Sequence, residues 1–246
     1  MGNNQLERRV LVDLHIHTAY EDPFFSGRKP EKIIQKALQS ELSVIAITNH
    51  DKLFTNCKVI EKAQALGLLI IGGIEITSCA NLDKEKNHPH ILGIGLSDVK
   101  DPVPTDKTPF YVAKWIRDNN GLVIAPHPTR KGNKHSLSYG QLAHLYEHGF
   151  IDAVEVTMLL DTDEKLMDYI QTWSVAMLGA SDAHWLDQIG CVATEVQIQT
   201  ESVPSQQDVI NAIQDKENKP IPIRIKEYPG WKKKAAKIME PILYHW

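Results

Sequence analysis

The amino-acid sequence predicts an α/β fold with a mostly parallel sheet or barrel, and three observations support this prediction. Short apolar runs rich in Val and Ile alternate with segments of helical period. Histidine, aspartate and glutamate residues repeatedly stand where these apolar runs end. The chain has 246 residues, of which 42% are hydrophobic, and α/β barrels commonly reach this size as one domain.

The first half of the chain alternates predicted strands with predicted helices. The strand VLVDL precedes the helix PEKIIQKALQSE, and the strand SVIAIT precedes the helix CKVIEKAQAL. Pro30 suits the first turn of its helix, where an N–H group is not needed, and Gly67 suits a helix end. Two further strands follow, LLIIGGIEI and HILGIGL, with the polar loop NLDKEKNHP between them.

The second half repeats the same order. The helices PFYVAKWIRDN, SYGQLAHLYEH and DEKLMDYIQTW precede the strands GLVIA, DAVEV and VAMLG. The Pro-rich connection DVKDPVPTDKTP is expected to be a surface excursion rather than a domain boundary. We therefore expect one domain over residues 1–246, in which residues 201–246 form a helix and strand extension that packs on the barrel. The basic terminal segment WKKKAAKIMEPILYHW is expected to be a helix with a solvated Lys face.

The composition argues against several classes of protein. A formal charge of −4 and a pI near 6.3 give no general polyanion-binding signature, so nucleic acid is not favoured as a partner. Cys57, Cys79 and Cys191 form no C-x-x-C pair and suit free thiols in a reducing compartment. The sequence shows no signal-peptide core and no apolar run of membrane-span length. We expect a cytoplasmic protein without a membrane partner, and its oligomeric state stays open.

The motif DLHIHT places an acid and two imidazoles at alternate positions of a predicted strand. Residues i, i+2 and i+4 of a strand share one face, so Asp13, His15 and His17 are predicted to point the same way. Two imidazoles and a carboxylate that face an apolar interior are costly without a partner. This spacing therefore indicates a metal site.

Further candidate ligands stand at the ends of later strands. Because the carboxyl ends of parallel strands form the functional face of barrels and doubly wound sheets, we expect these residues to converge. Imidazoles and carboxylates together suit Zn, Mn or Fe, and their number exceeds what one tetrahedral ion can use, which favours two or three ions. The candidates are His50 in TNHD, Glu75 in GIEITS, His88 and His90 in HPHILG, His127 in APHPTR, and Asp182 and His184 in GASDAH.

Simpler explanations exist for single motifs. TNHD alone could be a helix-capping turn, and a single buried histidine is often an ordinary core residue. His135, His144, His148 and His245 lack the strand-end context, so we assign them to the surface or to ordinary packing. The whole ordered set is what favours a metal centre.

The motifs DLHIHT, ITNHD, GIEIT, HILGIG, APHP and GASDAH, in this order, resemble the PHP (polymerase and histidinol phosphatase) superfamily of metal-dependent phosphoesterases. The resemblance extends to about Gly190 and implies a distorted (β/α)7, TIM-like barrel with two or three metal ions at the C-terminal ends of the strands. It implies three ligand sets: His15, His17, Glu75 and Asp182 for one ion; Glu75, His90 and His127 for a second; and His50, His184 and Asp22 for a third, with Glu21 competing for the place of Asp22.

The resemblance also implies roles for residues around the ligands. Asp13 would hold a ligand imidazole, and Asn49, where relatives usually have Asp, could still orient a neighbour through hydrogen bonds. Glu155 could be either structural support or a wall of the pocket. Arg130 in HPTRKGNKH could bind a substrate phosphate with two hydrogen bonds, helped by Lys131 or Lys134; the alternative is a solvated basic loop.

The implied reaction is phosphoester hydrolysis by a metal-activated hydroxide, with Glu75, Asp182 and Arg130 as the catalytic residues and no covalent protein nucleophile. The expected substrate is a small phosphorylated molecule or a nucleotide. One alternative is a nuclease or phosphodiesterase on nucleic acid, which the segment WKKKAAK keeps open; another is a non-catalytic, metal-binding regulatory module. The nearest enzymatic alternative, an amidohydrolase, typically has a bridging Lys where this chain has Glu75.

Overall fold

The computed structural model describes residues 7–18, 29–79, 87–96, 99–128, 134–156, 164–199, 203–215 and 223–225. Within these ranges the strands are β1 (Glu7–Ile16), β2 (Val44–Ile47), β3 (Leu69–Thr77), β4 (His90–Ile94), β5 (Leu122–Ala125), β6 (Ala153–Glu155), β7 (Ala176–Leu178), β8 (Val192–Gln199) and β9 (Ile223–Ile225). The helices are α1 (Pro30–Gln39), α2 (Cys57–Ala65), α3 (Pro109–Asp118), α4 (Tyr139–Glu147), α5 (Glu164–Trp173) and α6 (Gln206–Gln214), and a short 3-10 helix spans Leu186–Gln188.

The strands form one sheet in the order β7-β6-β5-β4-β3-β2-β1-β8-β9, of which β1–β8 make a nearly closed barrel. β1, β2 and β3 are parallel to one another, as are β5, β6 and β7. Apolar side chains of α1 and α2 pack on the first group of strands, and those of α3, α4 and α5 pack on the second. The predicted α/β fold, a distorted TIM-like barrel, is confirmed.

Two strands run against the others. β4 is antiparallel to both β3 and β5, and its first residue, His90, pairs with Thr77 at the end of β3. His90 therefore begins a strand instead of following one, but the reversal brings it to the same barrel end. β8 is antiparallel to β1 and was not predicted, although Val196 and Ile198 alternate with polar residues there and are buried.

The inside of the barrel is apolar at one end and polar at the other. Side chains from β1–β8 form a buried cluster that α6 joins through Val209, Ile210 and Ile213. Gln206 of α6 donates a hydrogen bond to the carbonyl oxygen of Gly95, at 3.1 Å, just after β4. Because His90 lies at the other end of β4, α6 covers the barrel end opposite to the histidines.

Strand β1 contains a β-bulge. Asp13 pairs with Ile45 and Ile16 pairs with Ile47, so β1 has one residue more than β2 over this interval. As a result Leu14 belongs to the inner cluster and Ile16 to an outer one. The prediction that Asp13 shares one face with the two histidines is therefore wrong, because the bulge breaks the alternation.

The barrel closes where the end of β7 meets β8 and the segment after β7 meets β1. The amide of Gly179 donates to Oγ1 of Thr194 at 2.7 Å, and this hydroxyl donates back to the Gly179 carbonyl at 3.0 Å. Further along, the backbone of Ala183 bonds to that of His15 and His17, at 3.3 and 3.1 Å. The segment after β7 is thereby held directly against the histidines of β1.

Other predictions have mixed outcomes. No disulfide bond joins any two of the three cysteines, all of which lie within the described ranges. In the part of the chain that the structure describes, no helix has the length and apolar character that crossing a membrane requires. The basic segment near the C-terminus lies outside the described residues, and the organisation of residues 1–246 as one domain stays a prediction.

A pair of glycine substitutions tests how tightly the segment after β7 is held. Gly190 and Gly67 both have positive φ, 71° and 81°, so Ala costs about 1–2 kcal/mol of backbone strain at either position. A Cβ at Gly190 would lie 2.6 Å from Cβ of Ser40, whereas a Cβ at Gly67 would meet no atom within 4 Å. In urea denaturation, Gly190→Ala should lower the free energy of unfolding by at least about 1 kcal/mol more than Gly67→Ala. Equal losses would contradict this contact.

Candidate metal centre

The structure brings most of the predicted site residues together at the polar end of the barrel. His15 lies in β1, Glu75 in β3 and His90 at the start of β4. The others follow strands directly or within a few residues: His17 after β1, His50 after β2, His127 after β5, and Asp182 and His184 after β7. Asp22, its competitor Glu21 and Arg130 lie outside the described residues.

Four ligand atoms form what we call the inner quartet: Nε2 of His15, Nε2 of His17, Oε2 of Glu75 and Oδ1 of Asp182. The His15 nitrogen lies 3.2 Å from the His17 nitrogen, 3.3 Å from the Glu75 oxygen and 3.4 Å from the Asp182 oxygen. The His17 nitrogen lies 3.2 and 3.4 Å from the same two oxygens. A tetrahedral ion with bonds of about 2.0–2.1 Å separates its ligands by about 3.3–3.4 Å, so the quartet has the spacing of such a site.

The chemistry of the quartet also fits a cation. Nδ1 of His15 lies 2.9 Å from Oε1 of Glu155 and therefore carries the proton that it donates. In the neutral ring Nε2 is then a lone pair, and it faces carboxylate oxygens. Oε2 of Glu75 is buried and has no hydrogen-bond partner among the described residues. Buried lone pairs that face one another are costly unless a proton or a metal ion lies between them.

Glu75 also contacts a second set of histidines. Its Oε1 lies 2.8 Å from Nδ1 of His90 and 3.3 Å from Nε2 of His127. Nδ1 of His50 lies 3.1 Å from Oε2, so His50, Glu75 and His90 form a second group with metal-ligand spacing. Oε2 of Glu75 thus faces the inner quartet and His50, and Oε1 faces His90 and His127, which is the arrangement of a bridging carboxylate.

A third group consists of His17, His50 and His184. The ring of His17 lies 4.6 Å from that of His50 and 4.3 Å from that of His184, between centroids. This group is the most accessible, since the side chains of His50 and His184 are 42% and 21% exposed and that of Glu75 is 1% exposed. The site therefore opens to solvent at His50 and His184.

Glu155 contacts His15, which belongs to the inner quartet, and His127, which faces Oε1 of Glu75. One carboxylate oxygen accepts the Nδ1 proton of His15 at 2.9 Å, and the other accepts the backbone N–H of His127 at 3.1 Å. The first bond fixes the tautomer of His15 so that Nε2 points at Glu75 and Asp182. Of the two alternatives that the sequence left open, Glu155 gives support, through a direct bond to an imidazole.

Asp13 has a different partner from the one predicted. Its carboxylate is fully buried and accepts the backbone N–H groups of Ser181 and Gly190, at 3.0 and 3.1 Å. It therefore fixes the segment that carries Asp182 and His184, instead of holding an imidazole. Burial raises the pKa of Asp13 to about 6, against the opposing effect of these hydrogen bonds.

Asn49 has the orienting role that its amide allows. Its Oδ1 accepts the backbone N–H of Thr18 at 2.7 Å, and its Nδ2 donates to the hydroxyl of Thr18 at 2.9 Å. These bonds fix the residue that follows His17.

Two of the candidate ligands have a strained backbone. Asp182 and His127 have φ values of 47° and 28°, a region that non-glycine residues adopt at a cost of about 1–3 kcal/mol, typically at functional sites.

Burial and charge set the protonation of the group. Burial raises the pKa of Glu75 and Asp182, but the neighbouring histidines outweigh it and hold both pKa values well below the usual range. Burial lowers the pKa of His15, but the surrounding carboxylates outweigh it and raise that pKa well above 6.5. Partial burial, together with the neighbouring imidazoles, lowers the pKa of His50 to about 2 and that of His184 to about 4. The carboxylates are therefore ionised, and His50 and His184 are neutral, as metal ligands must be, whereas His15 carries a second proton that a bound metal ion would displace from Nε2.

The sequence reasoning missed one histidine beside the site. His135 was assigned to the surface or to ordinary packing, but its ring lies 4.6 Å from that of His90. Its carbonyl oxygen accepts the backbone N–H of His90 at 2.8 Å. His135 does not follow a strand, and only its closeness in sequence to His127 could have indicated that it lies beside the site.

Comparison with known proteins identifies the family. A model of the PHP domain matches residues 13–184, and a model of a PHP-associated region matches residues 164–218. The chain belongs to the PHP domain family. The first match covers every described residue of the metal-ligand groups, from His15 to His184. Membership in this family supports the prediction of a metal-dependent hydrolase.

Individual relatives are more distant. The chain is 30% identical over 90 residues to phosphoribosyl 1,2-cyclic phosphate 1,2-diphosphodiesterase of Eggerthella lenta, a match that covers 36% of this chain and 32% of that enzyme. A two-domain protein of Bacteroides vulgatus that contains a predicted PHP-like metal-dependent phosphoesterase has a TM-score of 0.67 at 20% identity, over 89% of this chain and 65% of that one. The lesion-specific endonuclease Q of Pyrococcus furiosus has a TM-score of 0.62 at 18% identity, over 87% and 58%.

These matches set the limits of the comparison. The chain spans about a third of the diphosphodiesterase and less than two thirds of the two solved proteins. The structural likenesses show the fold.

Replacing Glu155 tests whether it orients the imidazole of His15. In Glu155→Gln one amide oxygen can accept only one of the two hydrogen bonds, so the affinity for Zn²⁺ or Mn²⁺ should fall about 10–100-fold. Competition with a chromophoric chelator measures this affinity. The matched control is Glu195→Gln, which removes an ion-paired carboxylate from the barrel surface. Equal affinities of the two variants would show that Glu155 has no part in the metal centre.

Proposed function

We propose that the protein hydrolyses phosphate esters of small molecules or nucleotides at a centre of two or three divalent metal ions bridged by Glu75. The observation that carries this proposal is the inner quartet, whose five measured separations of 3.2–3.4 Å match the edges of a tetrahedral metal site. His90 and His127, which face the other oxygen of Glu75, support a second ion.

The ligand types support Zn, Mn or Fe, because the groups combine imidazole nitrogens with carboxylate oxygens and contain no thiolate. One ion would be held by the inner quartet, and a second by Glu75, His90 and His127, with His50 close by. A third ion would use His50 and His184, together with Asp22, which lies outside the described residues.

The bound ions would supply Lewis acidity, which makes hydroxide available near neutral pH and stabilises charge on the attacked phosphoryl group and its leaving oxygen. The residues of the chain prepare this chemistry. Glu75 and Asp182 keep their negative charge, and Glu155 holds the proton of His15 on the nitrogen that faces away from the quartet. A substrate phosphate would approach where His50 and His184 are exposed, and Arg130 would bind it with two parallel hydrogen bonds.

A small substrate is supported by the charge of the chain. The net charge is −4, whereas proteins that track nucleic acid usually carry clustered positive charge with stacking aromatic rings. The Eggerthella lenta relative is named for a cyclic phosphate of phosphoribose, a small phosphodiester. A phosphodiesterase acting on nucleic acid is the second candidate, and the likeness in fold to endonuclease Q favours it.

The central test of the proposal is an activity measurement on Asp182→Asn. This change removes a charged oxygen from the inner quartet, so metal-dependent hydrolysis of p-nitrophenyl phosphate should fall about a hundredfold or more. The control is Asp118→Asn, at an exposed carboxylate of α3 that pairs with Lys114. Circular dichroism should show the same fold for both variants. If folded Asp182→Asn keeps the activity of the control, the proposed centre is wrong.

The ester preference separates the two candidate functions. We expect faster turnover of p-nitrophenyl phosphate and of a nucleoside monophosphate than of bis-p-nitrophenyl phosphate or a single-stranded oligonucleotide, each with added Mn²⁺ or Zn²⁺. A clear preference for the diester and the oligonucleotide would replace the phosphatase by a phosphodiesterase acting on nucleic acid. Absence of turnover on all four substrates, with metal bound, would contradict both.

A further inference from the structure

Two further histidines lie at the C-terminal end of α4, away from the ligand groups of the barrel. The stretch HLYEH runs from the helix into its C-terminal capping residue, and its His144 and His148 are four residues apart. Residues at this spacing are neighbours on one face of a helix. The two rings are 4.4 Å apart between centroids and tilted by 56°, and both residues are exposed to solvent.

The tautomer of His148 is fixed by the backbone. Its Nδ1 lies 2.8 Å from the carbonyl oxygen of His144, and because a carbonyl can only accept, Nδ1 carries the proton. In the neutral ring Nε2 is then a lone pair. Metal-binding histidines typically have this arrangement, in which the other ring nitrogen donates to a carbonyl or a carboxylate.

Phe110 restricts both rings. Its centroid lies 5.2 Å from the ring of His144 and 5.2 Å from the ring of His148, with an edge-on contact to the second. Restricted rings lose less conformational entropy when they bind a common ion, so the pair is partly preorganised for chelation.

The position on the helix adds an electrostatic contribution. His148 is the C-terminal capping residue of α4, the helix end at which the helix dipole carries partial negative charge. The exposed carboxylate of Glu147 lies next to it in the chain. Both features favour a cation at this helix end.

We propose that His144 and His148 form a surface chelate for one borderline divalent transition-metal ion, such as Zn²⁺, Cu²⁺ or Ni²⁺. Two imidazoles provide two ligands, and water completes the coordination. The site shares no residue with the barrel centre and does not depend on the proposed phosphatase function. It adds one ion to the metal content of the protein and links the last turn of α4 to its capping residue.

The experiment compares the zinc content of the untagged wild-type protein, His144→Gln and His148→Gln after equilibration in the same buffered micromolar Zn²⁺. Each variant should bind one Zn²⁺ fewer per chain than the wild type, because one imidazole alone does not chelate. The matched control, His88→Gln, replaces an exposed histidine that, although a candidate from the sequence, belongs to none of the ligand groups found among the described residues, and it should keep that ion. Thermal unfolding should show a Zn²⁺-dependent rise in Tm that is smaller in both variants.

A second readout identifies the ligands. With substoichiometric Cu²⁺ added to zinc-loaded protein, electron paramagnetic resonance should show coupling to two imidazole nitrogens in the wild type and in His88→Gln, but not in either helix variant. Since neither helix residue belongs to the proposed catalytic centre, kcat and KM should be unchanged in both variants. The same zinc content in wild type and both helix variants would overturn the proposal, as would loss of the ion in His88→Gln alone.

Discussion

The buried carboxylate of Glu75 is the feature on which the rest of the site depends. An isolated carboxylate at 1% exposure is strongly disfavoured inside a barrel, yet this one is kept ionised by the histidines around it. The imidazoles in turn present lone pairs that need a cation. The arrangement is self-consistent only when positive charge lies between the carboxylates and the imidazoles, and divalent ions satisfy this requirement without disturbing the ligand spacing.

The barrel gives this charge cluster a rigid frame. The bulge in β1 changes the alternation, so that Asp13 anchors the backbone at Ser181 and Gly190 while both histidines of β1 stay at the centre. Because β4 runs antiparallel to its neighbours, its first residue, His90, lies at the same barrel end as the other ligands. Glu155 then connects the imidazole of His15 to the backbone of His127, so that the two ligand groups of Glu75 share one support.

The sequence predicted much of this arrangement, and its errors have physical causes. The strand-end positions of His50, Glu75 and Asp182 were enough to expect convergence, because parallel strands end at one face. The bulge in β1 has no signature in a run of apolar and polar letters, so the orientation of Asp13 was predicted wrongly. Antiparallel pairing of β4 depends on tertiary contacts, and the contact of His135 with His90 joins segments that are distant in sequence. The distances between the ligand atoms, finally, depend on the three-dimensional structure and cannot be read from the sequence.

The most direct measurement is anomalous X-ray diffraction from crystals grown with Zn²⁺ or Mn²⁺, recorded at the absorption edge of the metal. The account predicts a strong peak about 2.0–2.2 Å from the four atoms of the inner quartet and a second peak on the Oε1 side of Glu75. Crystals that contain the metal but show no anomalous peak inside the barrel would contradict the account, since the carboxylates and imidazoles would then be paired by protons alone.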